Sequence, residues 1–141
     1  MPNLVLFLDP SNTDQVQYYS PGLFQITLTA DHSVQNLTLN SVIVNFTNAN
    51  NVVSMIGIDS DLFAHGNIYS NMTTSRNLLI PIEQKKQTSV FYSNYVFNDT
   101  KIPLSFNMQF YYQDNKTPLN LATYNIQNII LTFNFIQNAL F

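Results

Sequence analysis

The chain has 141 residues, no cysteine and a formal net charge of −3, and only 9% of its residues are charged. That charge content is far below the roughly 25% of an average globular protein. The lack of cysteine excludes a disulfide framework, a thiolate zinc site and a cysteine nucleophile. The 5 basic residues are too few to form a surface that grips a phosphate backbone, so no nucleic-acid partner is expected.

The length of 141 residues predicts a single domain, residues 1–141, that can bury a core without metal or cross-links. Hydrophobic residues make up 45% of the chain and aromatic residues 13%, which favours a folded chain over a disordered one. The apolar run Leu4 to Leu8 is too short for the hydrophobic region of a secretory signal. No apolar run approaches the roughly 20 residues of a membrane span, so no transmembrane segment is expected.

Period-two alternation begins at residues 23–30, where every second residue is apolar and the residues between are mostly polar. Pro21-Gly22 punctuates the start of this predicted strand. Residues 36–46 predict another strand, with a change of phase near Asn40-Ser41 that indicates a β-bulge. The Asn-rich residues 48–51 predict a loop.

The middle of the chain predicts shorter elements. Residues 52–58 are a further strand candidate, and residues 59–66 are compatible with one helical turn that Asp59 or Ser60 would cap and Gly66 would end. Residues 78–82 predict a short strand interrupted by Pro81, which places it at a sheet edge. Residues 87–93 predict the next strand.

The clearest alternation lies in residues 104–113, where one face of the predicted strand holds Leu104, Phe106, Met108, Phe110 and Tyr112. Residues 113–116 predict a turn, and residues 119–124 predict the beginning of the next strand. Residues 128–136 alternate again, and their second face is half apolar too. That pattern indicates a strand inside a sheet rather than at its edge.

About eight strands separated by turn chemistry predict an all-β fold, a two-sheet antiparallel β-sandwich. Strand number alone does not separate a jelly roll from an immunoglobulin-like sandwich. The absence of a Cys…Trp…Cys framework, together with long regular strands towards the two ends of the chain, favours a single jelly roll. In a jelly roll an early strand lies beside the last one, and residues 23–30 and 128–136 are predicted to be that pair.

The sequence contains only weak candidates for catalytic chemistry. Asp59, Asp61 and His65 offer two carboxylates and an imidazole, but calcium loops need more oxygen ligands and zinc needs another ligand. Glycoside cleavage needs two carboxylates that face each other across a cleft, and nothing in the sequence indicates that Asp59 and Glu83 do so. His32, next to Asp31, is expected in an exposed turn. The sequence therefore predicts no catalytic, metal or cofactor site, and no enzyme.

Two tyrosine pairs, Tyr18-Tyr19 and Tyr111-Tyr112, are candidates for sugar-stacking platforms or for contact anchors. Adjacent residues of a strand point to opposite faces, so one member of each pair is expected in the core and the other outside. Surface tyrosines are enriched at protein interfaces. Ordinary, partly buried tyrosines remain the plainest interpretation of both pairs.

The low charge itself points to a role. A surface of neutral amides and hydroxyls is buried against a partner at less desolvation cost than a charged one. The sequence is apolar at both ends, in MPNLVLFL and in ALF, so at least one of these stretches is expected to lie in the sandwich or across a neighbour. These features predict a domain that belongs to an assembly.

A small jelly roll without cysteine or a catalytic set, poor in charge and rich in Asn and Thr, resembles the small vertex (penton) proteins of tailless icosahedral viruses with double jelly-roll shells. The resemblance covers the whole chain as a pattern and rests on no sequence motif. It implies a pentamer that plugs the shell at each fivefold vertex and supports spikes. The basic arm with which many single jelly-roll coats contact RNA is missing, which favours a vertex or minor shell position.

The leading hypothesis is therefore a virion structural protein, made in the host cytoplasm, whose partners are itself, the neighbouring capsid proteins and a spike protein. The alternative is a carbohydrate- or receptor-binding β-sandwich module, such as a fibre head or adhesin. That alternative predicts exposed aromatic residues that converge on one groove or one loop end. A lone hydrolytic enzyme would require two carboxylates that converge in a pocket.

Overall fold

The computed structural model describes residues 3–29, 32–63, 78–98 and 101–137. Ten strands lie in this part of the chain: β1 Asn3–Leu8, β2 Val16–Tyr19, β3 Leu23–Thr27, β4 His32–Phe46, β5 Met55–Ser60, β6 Leu78–Pro81, β7 Thr88–Asn98, β8 Lys101–Ile102, β9 Ser105–Tyr111 and β10 Ile126–Gln137. One 3-10 turn, Asp61–Phe63, follows β5. These ranges contain no helix that could span a lipid bilayer.

The strands form two antiparallel sheets. Sheet I has the order β1-β10-β4-β7, and the short strand β8 pairs with the beginning of β4. Sheet II has the order β2-β3-β9-β5-β6. Their inner faces share one cluster of buried apolar side chains, so the molecule is the predicted two-sheet sandwich.

The pairing order is that of a jelly roll. Apart from β2 and β8, eight of the ten strands form nested antiparallel pairs, in which β1 joins β10, β3 joins β9, β4 joins β7, and β5 joins β6. The chain thus winds as one long folded-back hairpin whose two arms alternate between the sheets, the arrangement of an eight-stranded jelly roll. The prediction of an all-β jelly roll of about eight strands is confirmed.

The predicted neighbour of the last strand is wrong. Strand β3, which covers most of residues 23–30, lies in sheet II between β2 and β9, whereas β10 lies in sheet I between β1 and β4. The early strand beside β10 is β1, whose residues 4–8 are all apolar. Because this run is apolar at both odd and even positions, it gives no alternation signal, and the sequence does not predict the strand.

The predicted core faces are confirmed for both long strands near the end of the chain. Phe106, Met108 and Phe110 of β9 are buried, and so are the inward residues of β10, which are Ile129, Leu131, Phe133 and Phe135. Leu104 departs from the prediction, because it precedes β9 and is exposed, and Tyr112 is only half-buried. Strand β10 is also central, as its two apolar faces indicated.

The β-bulge predicted in β4 is present. Leu39 pairs with Phe133 and Ser41 with Thr132, so Asn40 is an extra residue against two consecutive residues of β10. This insertion turns Leu37 and Leu39, on one parity, and Val42 and Val44, on the other, towards the same core.

Three smaller features agree with the sequence. Ser60 Oγ accepts a hydrogen bond from the Leu62 amide at 3.2 Å, so Ser60 caps the 3-10 turn. Among the described strands, β6, which ends at Pro81, lies at an edge of sheet II. Gly22, in the turn between β2 and β3, has a φ of 72°. A Cβ there would lie 2.7 Å from the Leu119 carbonyl oxygen, so only glycine fits.

Two local predictions are wrong. Residues 119–124 do not begin a strand; the amides of Thr123, Tyr124, Asn125 and Ile126 donate to nearby groups within residues 120–122, which closes a turn before β10. Leu119 and Leu121 are nevertheless buried, and their spacing of two residues is the same as that of inward residues in a strand. His32 is not in a turn: it is the first residue of β4 and pairs with Ile102 of β8.

Candidate functional site

Of the weak candidates for catalytic or metal chemistry, the structure describes Asp59, Asp61 and Glu83, and Asp59 is exposed on β5. The Asp61 carboxylate accepts a hydrogen bond from the Asn107 amide at 2.9 Å, so it ties the 3-10 turn to β9. Glu83 lies in the loop after β6 and is 3.6 Å from the exposed Lys86 ammonium. His65 and Gly66 lie outside the described residues. No group of three or more metal-ligating side chains occurs in the ranges that the structure describes.

The first tyrosine pair divides as predicted. Tyr18 packs on the buried Phe24, with ring centroids 4.8 Å apart, and its hydroxyl accepts a hydrogen bond from the Gly22 amide. Tyr19 is exposed. Tyr18 is thus a partly buried structural residue, and Tyr19 is available at the surface.

The second tyrosine pair divides differently, since Tyr111 and Tyr112 are both half-buried. Tyr112 stacks on Tyr124, with ring centroids 4.7 Å apart and an angle of 18° between the ring planes. Partial burial, and then the neighbouring Tyr112, raise the pKa of Tyr124 above its ordinary value. The sequence did not indicate Tyr124 as a partner because eleven residues, which include the predicted turn at 113–116, separate the two rings.

The turn beside this tyrosine stack is held by Asp114. The Thr117 hydroxyl donates to its carboxylate, as do the amides of Thr117 at 2.9 Å and Lys116 at 3.0 Å. These donors, the Thr117 hydroxyl foremost, lower the pKa of Asp114 below its model-compound value of 3.8. Asp114 therefore serves the turn chemistry that the sequence predicted.

Replacing Thr117 by Val is expected to raise the pKa of Asp114 towards 3.8, because the strongest donor is lost while the two backbone donors remain. A folded-state pKa below the unfolded value means that the ionised carboxylate stabilises the fold above pH 3.8 and that this contribution is lost as the pH falls through the folded pKa. NMR titration of the carboxyl carbon measures the shift. Thr123→Val, in the next turn, is the control, and an equal pKa in both variants would contradict the assignment.

A small cleft of about 210 Å³ lies where β1 and β2 approach each other, and it is lined by Phe7, Asp9, Ser11, Thr13 and Val16. Two of its polar side-chain atoms already hold the local turn: Asp9 Oδ1 accepts from the Ser11 amide at 2.8 Å, and Thr13 Oγ1 accepts from the Val16 amide at 3.0 Å. The cleft is smaller than the roughly 300–1,000 Å³ of ordinary ligand pockets. It therefore offers little chemistry of its own.

The most unusual surface is the outer face of sheet I. The pairing register places four apolar residues side by side across all four strands: Phe7, Ile130, Ile43 and Val90. The next row consists of Val5, Thr132, Ser41 and Tyr92. Of these, Tyr92 is 81% exposed, Val5 57% and Phe7 52%. We call these two rows the sheet I outer surface.

This surface carries no charge. Strands β1, β4, β7 and β10 contain no Asp, Glu, Lys or Arg at all. A third row, on the side of the Phe7 row away from Val5, is neutral and polar. In it Asn45 donates to Asn128 Oδ1 at 2.7 Å, and the Thr88 hydroxyl donates to Asn45 Oδ1 at 2.9 Å. These side chains hydrogen-bond to each other, so they require little from a partner.

No protein-family model and no curated protein sequence matches the chain. Among solved structures, it is similar to a CBM35 from Cellvibrio japonicus Abf62, with a TM-score of 0.42, 7% identity, and coverage of 96% of this chain and 100% of that chain. A Xyl-CBM35 in complex with a glucuronic acid containing disaccharide has a TM-score of 0.37 and 6% identity, over 91% of this chain and 82% of that chain. The Tomato Aspermy Virus structure has a TM-score of 0.34 and 13% identity, over 99% of this chain and 78% of that chain. None of these similarities is close enough to assign a function.

Sequence reasoning missed the sheet I outer surface as a unit. Its signal was present in the apolar second faces of residues 4–8 and 128–136. Only the register, which brings Phe7 and Val90 to opposite ends of one row, shows that these faces are continuous.

Proposed function

We propose that this protein is a structural subunit of a virus particle, at a capsid vertex or a minor shell position, that associates with copies of itself and with neighbouring capsid proteins. Its place is then the virion, after synthesis in the host cytoplasm, and its role is mechanical rather than enzymatic. A spike protein is a further partner if the position is a vertex. The jelly-roll fold is compatible with this role but does not specify it.

The observation that carries the proposal is the sheet I outer surface, an exposed sheet face with an apolar row and no charged side chain on any of its four strands. Charged residues are normally depleted and aromatic residues enriched at the centre of protein interfaces. Full burial of one large apolar side chain contributes roughly 1.5–3 kcal/mol. Contact of this face with a neighbouring capsid protein would remove several such side chains from water without desolvating a charge on these four strands.

The proposal is tested by the mass of the purified protein across a range of concentrations, measured by light scattering and native mass spectrometry. We expect a defined oligomer of identical subunits that dissociates on dilution. A chain that stays monomeric at every soluble concentration, and that also binds no shell protein, would refute the proposal.

A pair of matched variants places the contact. Val90→Lys puts a charge on the exposed end of the apolar row, and we expect association to weaken by at least about tenfold, which corresponds to 1.4 kcal/mol. Leu79→Lys makes the same kind of change on β6 of sheet II, where the side chain is also exposed, and should leave the mass unchanged. Equal effects of both variants would remove the sheet I outer surface from the proposal.

A carbohydrate-binding module remains the second candidate, and one observation favours it. The Tyr112–Tyr124 stack lies beside the Asp114 turn, so two aromatic rings, a carboxylate and several amides gather at one loop end. A glycan array distinguishes the two functions. A reproducible sugar signal that Tyr124→Ala abolishes supports the module, and silence across the array supports the structural subunit.

A further inference from the structure

The edge strands of the two sheets differ in length and in composition. Among the strands that the structure describes, the edges of sheet II are β2 and β6, each with four described residues, and β6 ends at Pro81. Short edge strands and proline are the usual protection against unwanted strand pairing. Sheet I has edges β1, of six residues, and β7, of eleven, and neither contains a proline or a charged residue. Within the described ranges no other strand lies beyond either edge.

The directions of these two edges are complementary. Strand β1 is antiparallel to β10, β10 to β4, and β4 to β7, so β7 runs opposite to β1. A second copy placed alongside in the same orientation would therefore bring its β1 antiparallel to β7 of the first. Antiparallel strands need no connection to pair and form nearly linear hydrogen bonds.

The lengths and faces of the edges also match. In β7, Tyr92 pairs with Ser41 of β4, and Tyr95 pairs with Leu39. Ser93 and Asn94 therefore form an irregularity in the pairing. The segment Thr88–Tyr92 remains as five regularly paired residues. This segment is close to the length of β1. Its outward residues, Val90 and Tyr92, lie in the same rows as Phe7 and Val5, so pairing of the edges would extend both rows from one copy into the next.

We propose that the occupant of each open edge is a second copy of this chain, with β7 of one subunit hydrogen-bonded to β1 of the next in a head-to-tail ring. This inference rests on the proposed function, because it specifies how the structural subunit associates. A two-fold contact between two β7 strands would leave every β1 edge open. Head-to-tail contact uses both edges of every subunit, and such a contact closes into a ring when the rotation between copies allows it.

The absence of cysteine from the sequence makes disulfide trapping a clean test. Four single variants are made, Val5→Cys and Phe7→Cys on β1, and Val90→Cys and Tyr92→Cys on β7. Residues opposite each other on paired antiparallel strands have Cα atoms about 4.5–5.5 Å apart, which is within reach of a disulfide. Each variant is oxidised mildly, alone and in β1-with-β7 mixtures.

We expect covalent dimers in at least one mixture of a β1 variant with a β7 variant, and not from either variant alone. Because pairing raises the effective concentration to the millimolar range, the trapped dimer should form at least about a hundredfold faster than with Leu79→Cys, which places an exposed thiol on the edge of sheet II. The double variant with both Val5→Cys and Tyr92→Cys should give a series of covalent oligomers, the largest of which has the mass of the native oligomer.

The outcomes separate this inference from the function on which it rests. An oligomer that forms normally while no β1–β7 mixture is trapped above the Leu79→Cys rate refutes the edge pairing and leaves the structural role standing. Rapid trapping of Tyr92→Cys with itself refutes the head-to-tail arrangement in favour of a two-fold one. A wild-type protein that is monomeric and binds no shell protein overturns both proposals.

Discussion

Phe133→Ala is expected to destabilise the fold by about 3–5 kcal/mol, the range for removal of a fully buried aromatic ring. Phe133 is completely buried in β10, between Leu4 of β1 and Leu39 of β4. The cavity would lie at the centre of sheet I, beside the bulge at Asn40, where the backbone is already fixed on both sides. Native domains are stable by only about 5–15 kcal/mol, so much of the total stability would be lost.

Urea unfolding followed by circular dichroism measures this loss. Tyr92→Ala is the matched control, since it removes an aromatic ring from the same sheet at a position that is 81% exposed, and it should change the stability of the subunit by no more than about 0.5 kcal/mol. Both proteins are compared at one low concentration, because association would add to apparent stability. Similar losses for the two variants would contradict the assignment of inner and outer faces.

Asn51→Ala is expected to cost about 2 kcal/mol or more, because it removes the partners of two backbone groups at a nearly buried site. Asn51 is 5% exposed and lies in the loop between β4 and β5. Its Nδ2 donates to the Glu83 carbonyl at 2.7 Å, and its Oδ1 accepts from the Lys86 amide at 2.9 Å. One side chain thus fixes the connection from β6 to β7, including Lys85, whose φ is 62°.

Asn48→Ala is the control in the same loop, where the exposed side chain accepts only a local hydrogen bond from the Asn50 amide. Its effect should stay within about 0.5 kcal/mol. Asn51→Asp adds a second measurement: it keeps the acceptor for Lys86 but replaces the donor to Glu83, so it should also destabilise. If Asn51→Asp leaves the free energy of unfolding unchanged at pH 7, the hydrogen bond to the Glu83 carbonyl contributes little to stability.

Much of the fold is predictable because the inner faces obey a strict alternation. Phe106 and Leu131 could be assigned to the core from period two alone, since a shift of one residue would expose a whole apolar row. The bulge at Asn40 was also predictable, because the apolar positions change parity there, from Leu37 and Leu39 to Val42 and Val44. The edge position of β6 followed from Pro81.

Two of the errors have a common cause, which is that alternation carries no information where both faces are apolar or where burial occurs without a strand. Strand β1 is apolar at Leu4, Val5 and Phe7 alike, so neither its extended conformation nor its pairing with β10 could be derived. Leu119 and Leu121 are buried from within a turn. Pairing partners depend on the winding of the whole chain, which is why the candidate surface emerged only from the register.

The nested pairing has a consequence for biosynthesis. The ribosome delivers β1 first and β10 last, yet β10 is the strand that joins β1 to β4. Until residues 126–137 have emerged from the exit tunnel, Leu6 and Leu8 have no sheet to enter and β4 lacks one of its neighbours. The sandwich therefore closes only after β10 has emerged, and its closure joins strands far apart in the sequence at a large loop-closure cost.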